Sequence, residues 1–446
     1  MILLLANAVP GAHAQSARNK AHFIRDAEVE SIIRTFATPL FQAAGLDPEA
    51  VRLHLMVDPS LNAFVAGGLN MFFHTGLLIR SESPNQLIGV MAHETGHIAG
   101  GHLIRGNEQA GNVSTEALIG MLLGAAAGAA SGRGDVGTAV MMGSQHIAMR
   151  DMLAFTRSQE QQADQMAMRF LDSTGQSPKG MLQFFEILGD QELLVAARQD
   201  PYVRTHPLTR DRVSFVRQYV EKSPHTNADS PPAWIEMHRR MRAKLFAFIE
   251  PPMRTFQRYK ESDTSIEARY ARAIAAYRKP DLDTAIPLID ALIKERPGDP
   301  YFWELKGQML FENGRGAEAI APYRKATELL PDNALLLAEL GTAEVELDDP
   351  AFLKDAQKHL SMAVQREPGD SGTWQRLATA FGRDEGKEGM ASYALAEHFL
   401  LRGKLPEANF HANKAEQLLG KAGPIWLRIQ DIKELAVQVQ QERKRR

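Results

Sequence analysis

The chain has 446 residues, with 51 Lys and Arg against 54 Asp and Glu, a formal net charge of -3 and 44% hydrophobic residues. That composition belongs to a globular chain able to bury real cores, and near-neutral charge argues against a nucleic-acid binder that works by neutralising phosphates. The lack of cysteine excludes disulfide frameworks, thiolate zinc sites, iron–sulfur clusters, cysteine nucleophiles and a lipidated N-terminal cysteine, so any metal must be held by histidine and carboxylate.

Taken in chain order, the first 14 residues carry an apolar run from Ile2 to Val9, broken at Pro10 and closed by Ala12-His13-Ala14. The small-x-small ending reads as a signal peptide, which sends the mature chain to the bacterial periplasm. Residues 16–45 place Phe23, Ile32, Ile33, Phe36, Leu40 and Phe41 at helical spacing. Residues 51–57 alternate and predict a strand. Residues 64–73 hold Gly67-Gly68 between two β-prone pieces, which predicts a bent or bulged edge strand. Residues 86–104 predict a helix, as do parts of 114–130 and 137–172. The apolar, Gly- and Ala-rich residues 117–130 fall short of the ~18–20 needed to span a bilayer. They read as a close-packed buried helix, with a membrane-facing loop and peripheral membrane contact as the alternative.

A polar, Pro-containing stretch at 223–232 reads as a boundary, and beyond it the pattern is entirely helical. That part repeats. Arg296-Pro297-Gly298-Asp299, Leu330-Pro331-Asp332-Asn333 and Glu367-Pro368-Gly369-Asp370 each end a helix pair, with the prolines 34 and then 37 residues apart. Thirty-four is the tetratricopeptide period, and Trp303, Leu305, Gly307, Tyr323 and Ala326 follow that repeat's aromatic and small-residue pattern. Proline stops each second helix because it lacks the N–H the helix needs.

The chemistry sits upstream. His93-Glu94-Thr95-Gly96-His97 is an HExxH motif: on a helix, positions i and i+4 share a face, so both imidazoles reach one zinc and the glutamate can act as general base. A catalytic zinc takes a third protein ligand. The spacing that would supply a histidine at position 103 fails, since Leu103 stands there and His102 comes one residue early. A glutamate from a second helix remains. Glu160-Gln161-Gln162-Ala163-Asp164 offers Glu160 as ligand and Asp164, on the same face, as the partner that orients a ligand histidine through its ring N–H.

HExxH followed by His102, then Glu160-x-x-Ala163-Asp164, resembles the zinc metallopeptidases related to the HtpX and CAAX-prenyl proteases. Asn62-Ala63-Phe64, Gly67-Gly68 and Thr75-Gly76-Leu77-Leu78 are also similar to that family. With a leader and C-terminal repeats, the chain looks like its periplasmic BepA-type branch. The resemblance implies an α+β zincin-like metallopeptidase domain, mostly helical with a small sheet and edge strand, followed by an all-α tetratricopeptide solenoid. The expected division is 1–14 signal peptide, 15–225 peptidase, 226–262 helical connector and 263–446 repeats.

The resemblance further implies one Zn2+ per chain, ligated by His93, His97 and Glu160, with Glu94 as catalytic base. His206-Pro207 and Arg212 match a downstream element of the family. There the histidine can take the open zinc position and hold the protease off, making His206 a candidate inhibitory fourth ligand. Arg212 would then stabilise the oxyanion. Two departures are Ala66, where the family often has proline, and Thr156-Arg157-Ser158-Gln159 leading into the glutamate ligand. The expected function is a periplasmic endopeptidase degrading misfolded or misassembled envelope and outer-membrane proteins. Its partners would be unfolded substrates and outer-membrane assembly machinery gripped by the repeats, with no nucleic acid. The alternative is a tetratricopeptide chaperone or assembly factor whose protease site is largely latent.

Overall fold

A computed structural model describes residues 22–102, 157–189 and 201–445. The candidate leader at 1–14, the apolar segment 117–130, Leu103 and Thr156 lie outside the described residues. Two compact units divide the described residues, the first holding 22–25 and 29–245 and the second 26–28 and 246–445.

In the first unit, β1 (His22–Ile24) is followed by α1 (Ala27–Ala43), β2 (Arg52–Val57), β3 (Ala63–Ala66) and β4 (Asn70–His74). The sheet order is β1-β2-β4-β3. β1 runs antiparallel to β2, β2 parallel to β4, with Leu53 opposite Met71, and β4 antiparallel to β3, with Phe64 opposite Phe72. Residues 64–73 are therefore a hairpin and not one bent strand. Gly67 and Gly68 have φ of +57° and +86°, the left-handed region that glycine enters without steric cost, so the chain reverses there. β1 is a second departure, since its residues were expected within a longer helix. α1 keeps the predicted stripe: Ile32, Ile33, Phe36, Leu40 and Phe41 are all buried.

After β4 come α2 (Thr75–Arg80) and α3 (Pro84–Ala99). α3 starts at a Ser83 cap, whose side chain accepts from Gln86 N–H, with Pro84 in the first turn, where its missing N–H costs nothing. It ends five residues before the expected 104, because Gly100 and then Gly101, at φ +62°, turn the chain out of the helix. α4 (Arg157–Ser173) and α5 (Lys179–Gly189) pack on α3. Glycines set those seams. A Cβ on Gly96 would stand 2.7 Å from Ala163 O, one on Gly89 2.7 Å from Met181 N, and one on Gly180 2.0 Å from Asn85 O. The short α6 (Pro201–Thr205), α7 (Arg210–Lys222) and α8 (Pro232–Ile249) complete the unit. Trp234 of α8 packs its ring 5.2 Å from that of Phe36, and His238 Nε2 lies 2.8 Å from Ser81 Oγ.

The second unit continues as helices: α9 (Pro252–Arg258), α10 (Ile266–Arg278), α11 (Leu282–Glu295), α12 (Pro300–Glu312), α13 (Gly316–Leu329), α14 (Ala334–Glu346), α15 (Pro350–Arg366), α16 (Ser371–Gly382), α17 (Glu388–Leu401), α18 (Leu405–Leu419) and α19 (Gly423–Arg445). The proline turns share one construction. Asp299, Asn333 and Asp370 cap the next helix with their side chains, and Trp303 and Trp374 each donate from Nε1 to the carbonyl of Pro297 and Pro368 at 2.9 Å. Within pairs, Gly307 admits the Tyr323 ring and Gly341 admits Leu360. No described helix is long and apolar enough to cross a membrane.

Candidate metal centre

α3 is buried on nearly all sides, so its histidines are fixed by the helix and not by their own conformational choice. His93 and His97 lie one turn apart with their Nε2 atoms at 3.1 Å. α4 faces them across the Gly96–Ala163 seam. Its buried stripe is Glu160, Ala163, Asp164, Ala167, Met168 and Leu171, an i, i+3, i+4 pattern that turns two carboxylates toward α3. Small residues at the seam are what let these carboxylates reach the imidazoles: Glu160 Oε1 is 3.3 Å from His97 Nε2, Glu160 Oε2 is 3.4 Å from His93 Nε2, and Asp164 Oδ1 is 2.9 Å from His93 Nδ1.

His206 follows α6 and points into the same cluster. Its Nδ1 is 3.1 Å from Glu160 Oε1 and 3.4 Å from His93 Nε2, while its Nε2 faces Glu94 Oε1 at 3.5 Å. One donor atom each from His93, His97, Glu160 and His206 lies within 4.8 Å of the others, and all four residues are buried. Among the described residues this is the group that could hold a metal ion.

Arg212 is 1% exposed. It forms a two-pronged bond to Asp164 at 2.6 and 2.9 Å, approaches Glu160 Oε2 at 2.6 Å, and donates to the Pro207 carbonyl at 2.9 Å. It stands in the first turn of α7, where its own N–H reaches the Thr209 cap. One guanidinium therefore binds both carboxylates of α4 and the loop that carries His206.

Electrostatics separate these groups. Burial works against charging His93, but Asp164 and Glu160 outweigh it and raise its pKa to about 9. Burial, with His93 alongside, holds His97 well below the usual histidine value against the pull of Glu160. Glu160 would be raised by burial, yet His206 and Arg212 bring it well below the carboxylate range. Glu94 goes the other way: burial pushes its carboxyl up, and neither of its oxygens has a hydrogen-bond partner. Burial brings these groups together in one cluster, and the donor set is imidazole and carboxylate. The residues present fit a divalent cation.

The structure brings His93, Glu94, His97, Glu160, Asp164, His206 and Arg212 into one cluster. Reading the sequence did not single out Tyr202, which stacks on His206 with centroids 4.5 Å apart and is flanked by Phe184 at 5.2 Å. The His206 N–H donates to the Tyr202 carbonyl at 2.7 Å, a turn at the end of α6 that brings the two rings together and that the sequence alone did not signal. His102 had been noted only as a motif position; its Nδ1 lies 3.0 Å from His97 Nδ1.

Residues 24–220 match Peptidase family M48, and residues 268–334 match a tetratricopeptide repeat. The chain is 26% identical to the beta-barrel assembly-enhancing protease of Yersinia pestis over 401 residues, covering 89% of this chain and 81% of that one. It is 25% identical to the protein of the same name from Escherichia coli K12, over 89% of this chain and 80% of the relative. The metalloprotease LoiP of Escherichia coli K12 is 27% identical over 195 residues, 43% of this chain and 71% of its own. Among solved structures, the tetratricopeptide protein YrrB is 15% identical and matches 44% of this chain and 97% of its own at a TM-score of 0.33. The matched span contains the whole buried cluster, and the chain is a metalloprotease with a Peptidase family M48 domain followed by tetratricopeptide repeats.

Proposed function

We propose that the chain is a periplasmic zinc endopeptidase that degrades misfolded or misassembled envelope and outer-membrane proteins, with the repeats holding clients or assembly machinery. The observation that carries the reading is the convergence of four buried donor atoms beside the buried Glu94 carboxylate. His93, His97 and Glu160 would hold zinc, for which an imidazole–carboxylate set is the usual one. Bound there, zinc would supply Lewis acidity toward water and toward the scissile carbonyl. Glu94, its carboxyl raised by burial, would take the proton from the attacking water and deliver it to the leaving amine. Asp164 would hold the His93 ring by accepting from Nδ1–H.

For Arg212 the contacts support a role other than the expected oxyanion donor. Its guanidinium already serves Asp164, Glu160 and Pro207, so it would act as the brace that keeps the glutamate ligand and the His206 loop in place. An extended substrate would add as a strand along β3, the sheet edge next to β4, once that edge, whose four residues are all buried, is uncovered. The names of the relatives support the client class, and the leader-like residues 1–14 support the compartment.

A second reading is favoured by one observation. His206 stands between Glu160 and Glu94, where the reacting water must be, which fits an assembly factor with a latent protease site. Metal content and cleavage of an unfolded protein, measured for the wild type, Glu94→Gln and His206→Ala, separate the two. The protease reading expects one zinc per chain, a loss of about 10²–10⁴-fold in Glu94→Gln and a gain in His206→Ala. Zinc without cleavage in both wild type and His206→Ala moves the assembly-factor reading ahead. No bound zinc overturns the ligand assignment.

A further inference from the structure

The end of α3 is built to return a side chain to the metal centre. Gly100 closes the helix and Gly101, in the left-handed region, folds the chain back. The next residue, His102, then lays its ring against the last turn. That placement needs Gly100, because a Cβ there would stand 2.5 Å from His102 Nε2. The ring is 1% exposed. Its Nδ1 lies 3.0 Å from Nδ1 of His97, and its Nε2 lies 3.2 Å from Oε1 of Gln162 on α4. Gln159, also on α4, donates to the His102 carbonyl at 3.4 Å.

Two nitrogens at hydrogen-bond distance require one donor and one acceptor. Nε2 of His97 faces the donor cluster, 3.1 Å from His93 Nε2 and 3.3 Å from Glu160 Oε1. A metal bound there takes the Nε2 lone pair, so the ring proton must sit on Nδ1. Nδ1–H then donates to His102 Nδ1, His102 carries its own proton on Nε2, and that proton goes to the Gln162 carbonyl oxygen. One assignment satisfies all three contacts. The opposite one, with His102 donating to His97, would move the His97 proton onto Nε2 and remove the lone pair.

We propose that His102 is a positioning residue, which holds His97 in its metal-binding tautomer and ring orientation, with Gln162 setting the tautomer of His102 in turn. The inference rests on the reading of His97 as a metal ligand. The two ligand histidines are thereby backed differently: His93 by the Asp164 carboxylate, His97 by a neutral ring.

Zinc affinity of the full chain, read by competition with a fluorescent chelator, tests this in His102→Leu and His102→Asn. Leucine fills space without accepting; asparagine places an acceptor oxygen near the position of Nδ1. The expected result is a loss of about 10–100-fold in His102→Leu, most of it recovered in His102→Asn. The visible spectrum of the cobalt-loaded protein should change in the leucine variant and return toward wild type in the asparagine one. Equal affinity in wild type and His102→Leu overturns the proposal, as does an equal loss in both variants, which would mark a packing role. Should His102→Leu fail to fold, Gln162→Leu on the exposed side of α4 takes its place, with a several-fold weaker affinity expected and an unchanged one overturning the proposal. A wild type that binds no zinc fails the ligand reading itself, a result distinct from either.

Discussion

In the peptidase unit Glu160, Asp164 and Arg212 are each at most 1% exposed and bind one another, whereas in the repeat unit Arg366 meets Asp332 on the surface, with side chains 53% and 74% exposed. Glycine differs in the same direction. Gly96 lies against main chain, at Ala163 O, while Gly307 lies against a side chain, the Tyr323 ring. The first unit holds a few expensive charges in place with contacts that cannot yield, and the second repeats an inexpensive construction whose parts tolerate adjustment. The lesson is where each unit stores its specificity: in fixed geometry for one, in a period for the other.

The sharpest test of that contrast is to cut one ion pair in each. Asp164→Asn removes one of two carboxylates that Arg212 binds and should destabilise the peptidase unit by about 3–5 kcal/mol, since it leaves a buried charge undercompensated. Asp332→Asn should stay within about 0.5 kcal/mol, as surface substitutions do. Calorimetry of both variants reads the difference, and similar losses in the two would erase the contrast.

A smaller effect is expected at the glycines. Gly96→Ala presses on the Ala163 backbone and should cost about 1–3 kcal/mol, together with weaker zinc binding, because it displaces the helix that carries Glu160. Gly307→Ala presses on the base of the buried Tyr323 ring, a side chain and not main chain, and the better helix propensity of alanine offsets about 1 kcal/mol of the strain; metal binding should be unchanged. A Gly96→Ala protein with wild-type zinc affinity would show that the seam does not set the donor spacing.

The smallest effect expected is a pH dependence confined to the first unit. Burial, with Arg242 and Arg239 nearby, lowers the His238 pKa from 6.5 to about 3. Below pH 6.5 the unfolded chain takes up a proton that the folded chain refuses until about pH 3, so stability is full above 6.5 and declines as pH falls between these values. From pH 7 to 5 the wild type should lose about 1–2 kcal/mol more than His238→Gln, measured by urea unfolding at the two pH values. Equal losses would remove His238 as the cause.

How much of this was legible beforehand follows from the range of each interaction. HExxH, Glu160 with Asp164 and the proline turns are written within one helix or one repeat, where a period of four or of 34 residues can be seen directly. The Gly67-Gly68 hairpin was misread as a bulge because the same two glycines serve either structure, and only the antiparallel pairing of β3 with β4 decides. β1 was absorbed into a predicted helix because three residues are too few to show a period. The engagement of Arg212 with Asp164, 48 residues away, and of His238 with Ser81, 157 residues away, has no local signature at all.

α3 touches its neighbours through bare main chain at three places: Gly89 at Met181, Gly96 at Ala163 and Asn85 at Gly180. Contacts of this type have no rotamers and no volume to vary. Exchanging a surrounding leucine, isoleucine or methionine for another apolar residue changes rotamers and volume, and leaves a main-chain contact of this kind in place. Gly96 is thus the gauge block between the histidines and the glutamate, while Gly89 and Gly180 seat α3 on α5.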